Sequence, residues 1–271
     1  MANENNRLDM VAATDVGKVR THNEDSISAD PDIGVATLAD GMGGYNAGEV
    51  ASGIAVAMVP AEIRKLQAGG VLEQASDSEI ESRVGDLASK VNLAIYNAAQ
   101  KESQYAGMGT TLVVACWHRN KVTVGHLGDS RMYRLRADGI EPLTRDHSWI
   151  QEQMDTGLLT AEQARTSKKK NLITRACGID PNVIPEVHTH DAEQGDIFLL
   201  CSDGLYGMVP DEEICLTVSS LKSNLTLAAQ QLIQQANDNG GRDNISVILV
   251  HVLRGHEEKS GFFAKLKSWF K

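Results

Sequence analysis

Short apolar runs rich in β-branched residues alternate along the chain with longer stretches in which apolar positions recur every three or four residues. The short runs predict strands at Val35–Ala39, Thr111–Trp117, Val122–Leu127, Met132–Arg136, Ile197–Ser202 and Ile245–Val252. The longer spacing predicts helices over Ala47–Gln67, Glu79–Glu102, His147–Met154 and Leu225–Asn237. Turn residues at Arg119-Asn120 and Ala137-Asp138-Gly139 separate successive strands at hairpin spacing, which favours antiparallel pairing. Long helices occupy much of the remainder, so the pattern reads α+β, with helices covering a largely antiparallel core. The stretch from Asp155 to Asn171 is polar and reads as a surface excursion. Gly255 to Gly261 reads as a linker to a short tail.

Composition narrows the class. Of 271 residues, 42% are apolar and 23% charged, enough to fill a core and typical of a folded globular chain. The formal charge of -10 argues against a nucleic-acid partner, whose affinity comes mainly from Lys and Arg neutralising phosphates. Four lysines and no acid follow residue 258, so the body alone carries -14. The start of the chain lacks the apolar core of a secretory signal, and no run approaches the roughly 18 apolar residues of a membrane span. Cys116, Cys177, Cys201 and Cys215 form no CxxC pair; three lie in or beside apolar runs and read as buried thiols in a reducing cytoplasm.

The chemistry lies in a recurrent pattern. Aspartates flanked by small or turn-forming residues sit at strand ends in Ala39-Asp40-Gly41, Gly128-Asp129-Ser130, Ser202-Asp203-Gly204 and Arg242-Asp243-Asn244, and Glu24-Asp25 follow Arg20 in VRTHNEDS. Each motif alone reads as a turn, because Asp-Gly and Asp-Asn tolerate unusual backbone angles. Together they describe six carboxylates that strand ends of one sheet edge can gather. Carboxylates about 5 Å apart repel by roughly 3 kcal/mol per pair at an effective dielectric near 20. Such a cluster calls for hard divalent cations with oxygen ligands, magnesium or manganese. The glycine after Asp40 lets a backbone carbonyl approach a metal closely.

Other phosphate chemistries lack their residues. No cysteine is followed six positions later by arginine, and neither HExxH nor GxxxxGK[ST] occurs. Gly41-Met42-Gly43-Gly44 breaks the dinucleotide pattern at Asn46. Eight blocks instead carry a resemblance: VGKVRTHNEDS, ATLADGMGG, GMGTTLVVA, GHLGDSRMYRLR, LTRDHS, LITRACG, LLCSDGLYGMV and GGRDNISVILV. Their content and order resemble the bacterial metal-dependent protein serine/threonine phosphatases of the PPM, or type 2C, family, over about Asp9 to Val252.

That resemblance implies a four-layer α-β-β-α sandwich of two antiparallel sheets flanked by helices, with a dimetal site at one end. Residues 1–254 would form the catalytic domain. Asp40 would bridge two Mg2+ or Mn2+ ions, with Asp203 and Asp243 on the first and the carbonyl of Gly41 on the second. Glu24 would join the second ion through water, and Asp25 would hold a metal-bound water. Asp129 and Asp203 match a third, weaker site of bacterial members. Arg20 matches the phosphate-binding arginine, and a guanidinium fork suits two phosphoryl oxygens. The implied reaction is attack of a metal-bridging hydroxide on phosphoserine or phosphothreonine in proteins, reversing a eukaryotic-like Ser/Thr kinase. Met42 stands where animal members carry a histidine proposed as general acid, so that role stays unassigned; His22 is the nearby candidate in sequence.

Two segments read separately. The family's flap would span about residues 148–171, where Lys168, Lys169 and Lys170 either receive phosphorylated substrate segments or form a solvated charge run. The tail GFFAKLKSWFK places Phe262, Phe263, Leu266, Trp269 and Phe270 within a ~120° helical stripe, with lysines off it. It suits peripheral attachment to anionic lipid at the inner membrane, a partner's groove, or docking on the chain's own body. A monomer is expected. Two rival readings are a catalytically weak scaffold keeping the fold, against which the intact carboxylate set argues, and a nuclease, against which the acidic body argues.

Overall fold

A computed structural model describes residues 7–44, 47–69, 74–137, 139–167 and 172–255. The strands are β1 (Leu8–Asp15), β2 (Asp25–Asp30), β3 (Val35–Met42), β4 (Gly109–Thr110), β5 (Leu112–His118), β6 (Lys121–Leu127), β7 (Arg131–Arg136), β8 (Gly139–Pro142), β9 (Glu186–Asp191), β10 (Ile197–Cys201) and β11 (Ile245–Val252). The helices, numbered here in chain order, are α1 (Ala47–Ala68), α2 (Asp77–Lys101), α3 (Trp149–Asp155), α4 (Ala161–Thr166), α5 (Asp203–Tyr206), α6 (Asp211–Ser220) and α7 (Leu225–Asp238).

β5 shows why these elements stack in layers. Its run is apolar at every position from Leu112 to Trp117, and a strand sends alternate side chains to opposite faces, so both faces must be covered. Leu112, Val114 and Cys116 pack with α1 and α2 residues such as Ala51, Val59, Val84 and Val91. Val113, Ala115 and Trp117 point the other way, into a core shared with Phe198, Leu200, Ile248 and Val250 of the second sheet. There Trp117 meets Phe198 edge-on, with ring centroids 5.6 Å apart. β10 and β11 repeat the logic, sending Ile197, Leu199, Val247 and Leu249 against Val218, Ala229 and Leu232 of α6 and α7.

The result is the expected four-layer sandwich. One sheet runs β1-β11-β10-β7-β8 and the other β2-β3-β5-β6-β9, with β4 on β3, and every pairing is antiparallel. The six predicted strands and four predicted helices are present, with boundaries shifted by up to three residues. The helix expected from His147 begins at Trp149, because Ser148 caps it by accepting from the Gln151 N–H at 3.2 Å.

The pattern missed β1, β2, β4, β8, β9, α4, α5 and α6. β2 (DSISAD) and β9 (EVHTHD) are sheet-edge strands holding a single large apolar residue each, so alternation is faint and the neighbour's backbone supplies the order. α6 carried a readable signal in its acidic first turn, Asp211, Glu212 and Glu213 behind Pro210. Part of the polar excursion from Asp155 is also helical, as Thr160 and Gln163 form a capping box on α4. Cys116, Cys177 and Cys201 are buried free thiols. Among the described residues no helix is long and apolar enough to cross a membrane. Lys168–Lys170 and the tail with Phe262, Phe263, Leu266, Trp269 and Phe270 lie outside the described residues.

Candidate metal centre

Antiparallel pairing decides where the carboxylates go. Asp25 at the start of β2 lies directly opposite Asp40 near the end of β3. In the other sheet, the end of β10 adjoins the starts of β11 and β7, through Cys201 opposite both Val247 and Arg131. Asp203 just after β10, Asp243 just before β11 and Asp129 just before β7 therefore share one edge. Coulombic coupling of Asp40 to Asp25, Asp203, Asp129 and Asp243 places all five carboxylates in one cluster spanning the two sheets.

The loop carrying Arg20 and Glu24 is strapped to that edge by Asn244. Its Oδ1 accepts from the Glu24 N–H at 2.8 Å, and its Nδ2 donates to the carbonyls of Val16 (3.0 Å) and His22 (2.9 Å). Lys18 N–H adds a bond to the Gly241 carbonyl at 2.7 Å. Arg20 then reaches Asp243, Nη2 to Oδ2 at 2.8 Å, with half its side chain exposed. The Glu24 carboxylate accepts from the Gly48 N–H in the first turn of α1. Gly41 packs so closely that a Cβ there would sit 2.3 Å from the Gly48 carbonyl oxygen and 2.5 Å from that of Glu24. His22 is exposed, and Met42 pairs with Gly109 on β4.

The electrostatics suit the binding of cations. Burial pushes the Asp25 carboxyl up to about 6, although hydrogen bonds from Ser246 and Ser202 pull the other way. Burial, then the neighbouring Asp129 and Asp243, raises Asp203 to about 7. Asp129 rises to about 6 through burial and then Asp146. Burial and four neighbouring carboxylates hold Asp40 well above its usual range. Asp25 Oδ1 and Asp203 Oδ1 are buried with no hydrogen-bond partner, an arrangement that costs free energy unless something positive faces them. Clustered carboxylates with orphaned buried oxygens fit hard divalent ions.

Residues with no assigned role in the sequence reading complete the wall. Arg131 grips Asp146 with two bonds, Nε to Oδ1 at 2.8 Å and Nη2 to Oδ2 at 2.7 Å, and lies 3.7 Å above the Tyr206 ring. Tyr206 Oη donates to the Asp129 carbonyl at 3.0 Å. Arg131 and Asp146 belong to two recognised blocks, but nothing in their spacing reveals that they pair. Beside the carboxylates opens a cleft of about 620 Å3, lined by Asp129, Asp203 and Asp243 and by Ile150 and Met154 of α3.

A model of the family described as "Protein phosphatase 2C" matches residues 18–249. The chain belongs to the protein phosphatase 2C family. It is 38% identical over 242 residues to the serine/threonine phosphatase stp of Listeria innocua, covering 88% of this chain and 93% of that one. Protein phosphatase PhpP of Streptococcus pneumoniae is 36% identical over 248 residues, covering 90% and 97%. Among solved structures, serine/threonine phosphatase PstP/Ppp of Mycobacterium tuberculosis superposes with a TM-score of 0.83 at 34% identity, covering 91% of this chain and 99% of that one. A PstP catalytic domain in complex with two manganese ions gives 0.79 at 33% identity, again covering 91% and 99%. This protein phosphatase 2C member is a metal-dependent protein serine/threonine phosphatase.

Proposed function

We propose that the chain hydrolyses phosphoserine and phosphothreonine in proteins phosphorylated by a Ser/Thr kinase, at a centre holding two Mg2+ or Mn2+ ions. Asp40, Asp203, Asp243 and the Gly41 carbonyl would be the direct ligands, with Glu24 acting through water and Asp129 with Asp203 offering a third, weaker site. The observation that carries this reading is the convergence of five aspartates from two sheets, with Asp25 Oδ1 and Asp203 Oδ1 buried and unpartnered. The two manganese ions of the PstP catalytic domain support the ion count.

When bound, the ions supply an acidified water and positive charge opposite the phosphoryl oxygens. The protein supplies the remaining functions. Arg20 has one N–H on Asp243 and a half-exposed fork, suited to two phosphoryl oxygens beside the carboxylates. Asp25, anchored through Oδ2 by Ser202, offers Oδ1 to the proton of the attacking water. Met42 has no proton to give, and His22 is an exposed side chain that acts on Glu24 through its charge, so the leaving-group proton is left unassigned. The chain acts as a monomer in the cytoplasm, with the tail as its contact to an inner-membrane surface or a partner.

The test is manganese-dependent phosphate release from a phosphothreonine peptide by wild type and Asp203→Asn. Metal-independent release, or equal rates from both proteins, rejects the reading.

A further inference from the structure

His147 sits where the flap leaves the body, and its ring joins segments that the chain separates widely. Its backbone N–H donates to the Gly128 carbonyl at 2.9 Å, and its carbonyl accepts from Thr174 N–H at 2.8 Å. Ser148 bridges to Ile173, and Trp149 N–H donates to the Leu172 carbonyl at 2.8 Å, so both ends of the flap are clasped here. The ring is nearly fully buried and stacks on His126, centroids 4.6 Å apart at 20°.

The hydrogen bonds fix which nitrogen carries the proton. Gly128 N–H can only donate, and it points at His147 Nδ1 at 3.2 Å, so Nδ1 presents a lone pair. The proton of the neutral ring is then on Nε2, which donates to Glu186 Oε2 at 3.3 Å. His126 Nε2 likewise donates to the Arg145 carbonyl at 2.9 Å. His126, His147 and Glu186 place donor atoms within 4.8 Å of one another, as a metal site would. Yet a metal on His147 Nε2 would move the proton to Nδ1, against the Gly128 N–H. The trio is therefore a hydrogen-bond device rather than an ion site. Burial, then His126 and Arg175, lowers the His147 pKa to about 4, consistent with a neutral ring.

Gly128 has φ +102° and no room for a side chain, since a Cβ would lie 2.7 Å from the Thr111 side chain. His147 thus holds Gly128 on both sides, its ring on the N–H of the peptide that enters Gly128 and its backbone N–H on the carbonyl of the peptide that leads into Asp129, so it fixes the backbone from which Asp129 departs. We propose that His147, locked as the Nε2–H tautomer between Gly128 and Glu186, is the positioning residue that couples the flap to Asp129 and thereby sets the affinity of the ion site Asp129 forms with Asp203. This rests on the metal assignment above.

Two amide variants dissect the ring. His147→Asn keeps an acceptor where Nδ1 lies and loses the donor to Glu186; His147→Gln keeps a donor toward Glu186 and loses the acceptor for Gly128. Mn2+ binding is read directly by electron paramagnetic resonance of the free ion, alongside phosphate release and thermal midpoints. The expected result is an about tenfold weaker last Mn2+ equivalent in His147→Gln, with His147→Asn within about threefold of wild type. Glu186→Ala, which leaves the ring in place without its anchor, should shift in the same direction by less. Unchanged Mn2+ binding in His147→Gln, or equal weakening in both amide variants tracking their loss of thermal midpoint, overturns the proposal. Should wild type bind Mn2+ without releasing phosphate, the phosphatase reading falls, while the binding titration still decides the role of His147.

Discussion

Ser202 Oγ donates to Asp25 Oδ2 at 2.8 Å, joining the end of β10 in one sheet to the start of β2 in the other across 177 positions of sequence. The same hydroxyl oxygen accepts from Ser246 N–H at 3.0 Å, so a single side chain ties both sheets together beneath the carboxylates. Ser202→Ala strips a buried carboxylate of a partner and orphans a buried amide. We expect a loss of about 2–3 kcal/mol in urea unfolding of the metal-loaded protein. An unchanged urea midpoint would show that water replaces the hydroxyl at no cost.

Asp203 illustrates stability sacrificed to chemistry. Its carboxyl is crowded by Asp129, Asp243 and Asp25 and rises to about 7. Asp203→Asn relieves that repulsion, so in EDTA the variant should melt higher than wild type. In saturating Mn2+ the order should reverse, because ions held at 100 times their Kd contribute about 2.7 kcal/mol to wild type. Phosphate release should fall by at least about a hundredfold. Parallel melting curves with and without metal would contradict this.

The same carboxylates give the metal-free protein an unusual pH dependence. Asp25 and Asp129 are raised to about 6 and Asp203 to about 7, against about 3.9 in the unfolded chain. An acid whose folded pKa is raised holds its proton more tightly when folded. Its stabilising contribution is present below pH ~4 and is lost as pH rises through the folded values. In EDTA the urea midpoint should therefore drop between pH 5 and pH 8, and Mn2+ should restore more at pH 8 than at pH 5. A flat or rising midpoint in EDTA would refute the assignment.

Arg20 separates binding from stability. Its pair with Asp243 is half exposed, so Arg20→Ala should change unfolding by less than about 1 kcal/mol. Its effect belongs in kcat/KM on phosphopeptide, with a loss of about 10- to 100-fold. Arg20→Lys should recover only part, because an ammonium restores charge without the two-pronged fork. Full recovery by lysine would show that charge alone matters there.

Much of the site was legible because its chemistry is carried by residue type at strand ends. Asp40-Gly41, Asp129, Asp203-Gly204 and Asp243-Asn244 all sit where apolar runs stop or start, and all arrive at one edge. The residues that hold them were not legible. Ser202 and Asn244 are ordinary polar residues until strand pairing shows which backbone groups they face. The Arg131–Asp146 pair spans 15 positions with no periodic signal, and His147, expected in the first turn of a helix, lies outside it as a clasp on Gly128.

By itself the sequence determined the layered core and the anionic edge. Unbroken apolar runs such as Leu112–Trp117 need cover on both faces, and Asp40, Asp129, Asp203 and Asp243 flank strands that such runs define. Only the tertiary structure decided that β2 and β9 are strands at all, because an edge strand draws its order from its neighbour's hydrogen bonds. It also decided that Asp25 Oδ1 and Asp203 Oδ1 are left without partners. Residue type announces a carboxylate. Whether its oxygens are spent or waiting depends on which backbone and side-chain donors the packing of two sheets brings within reach.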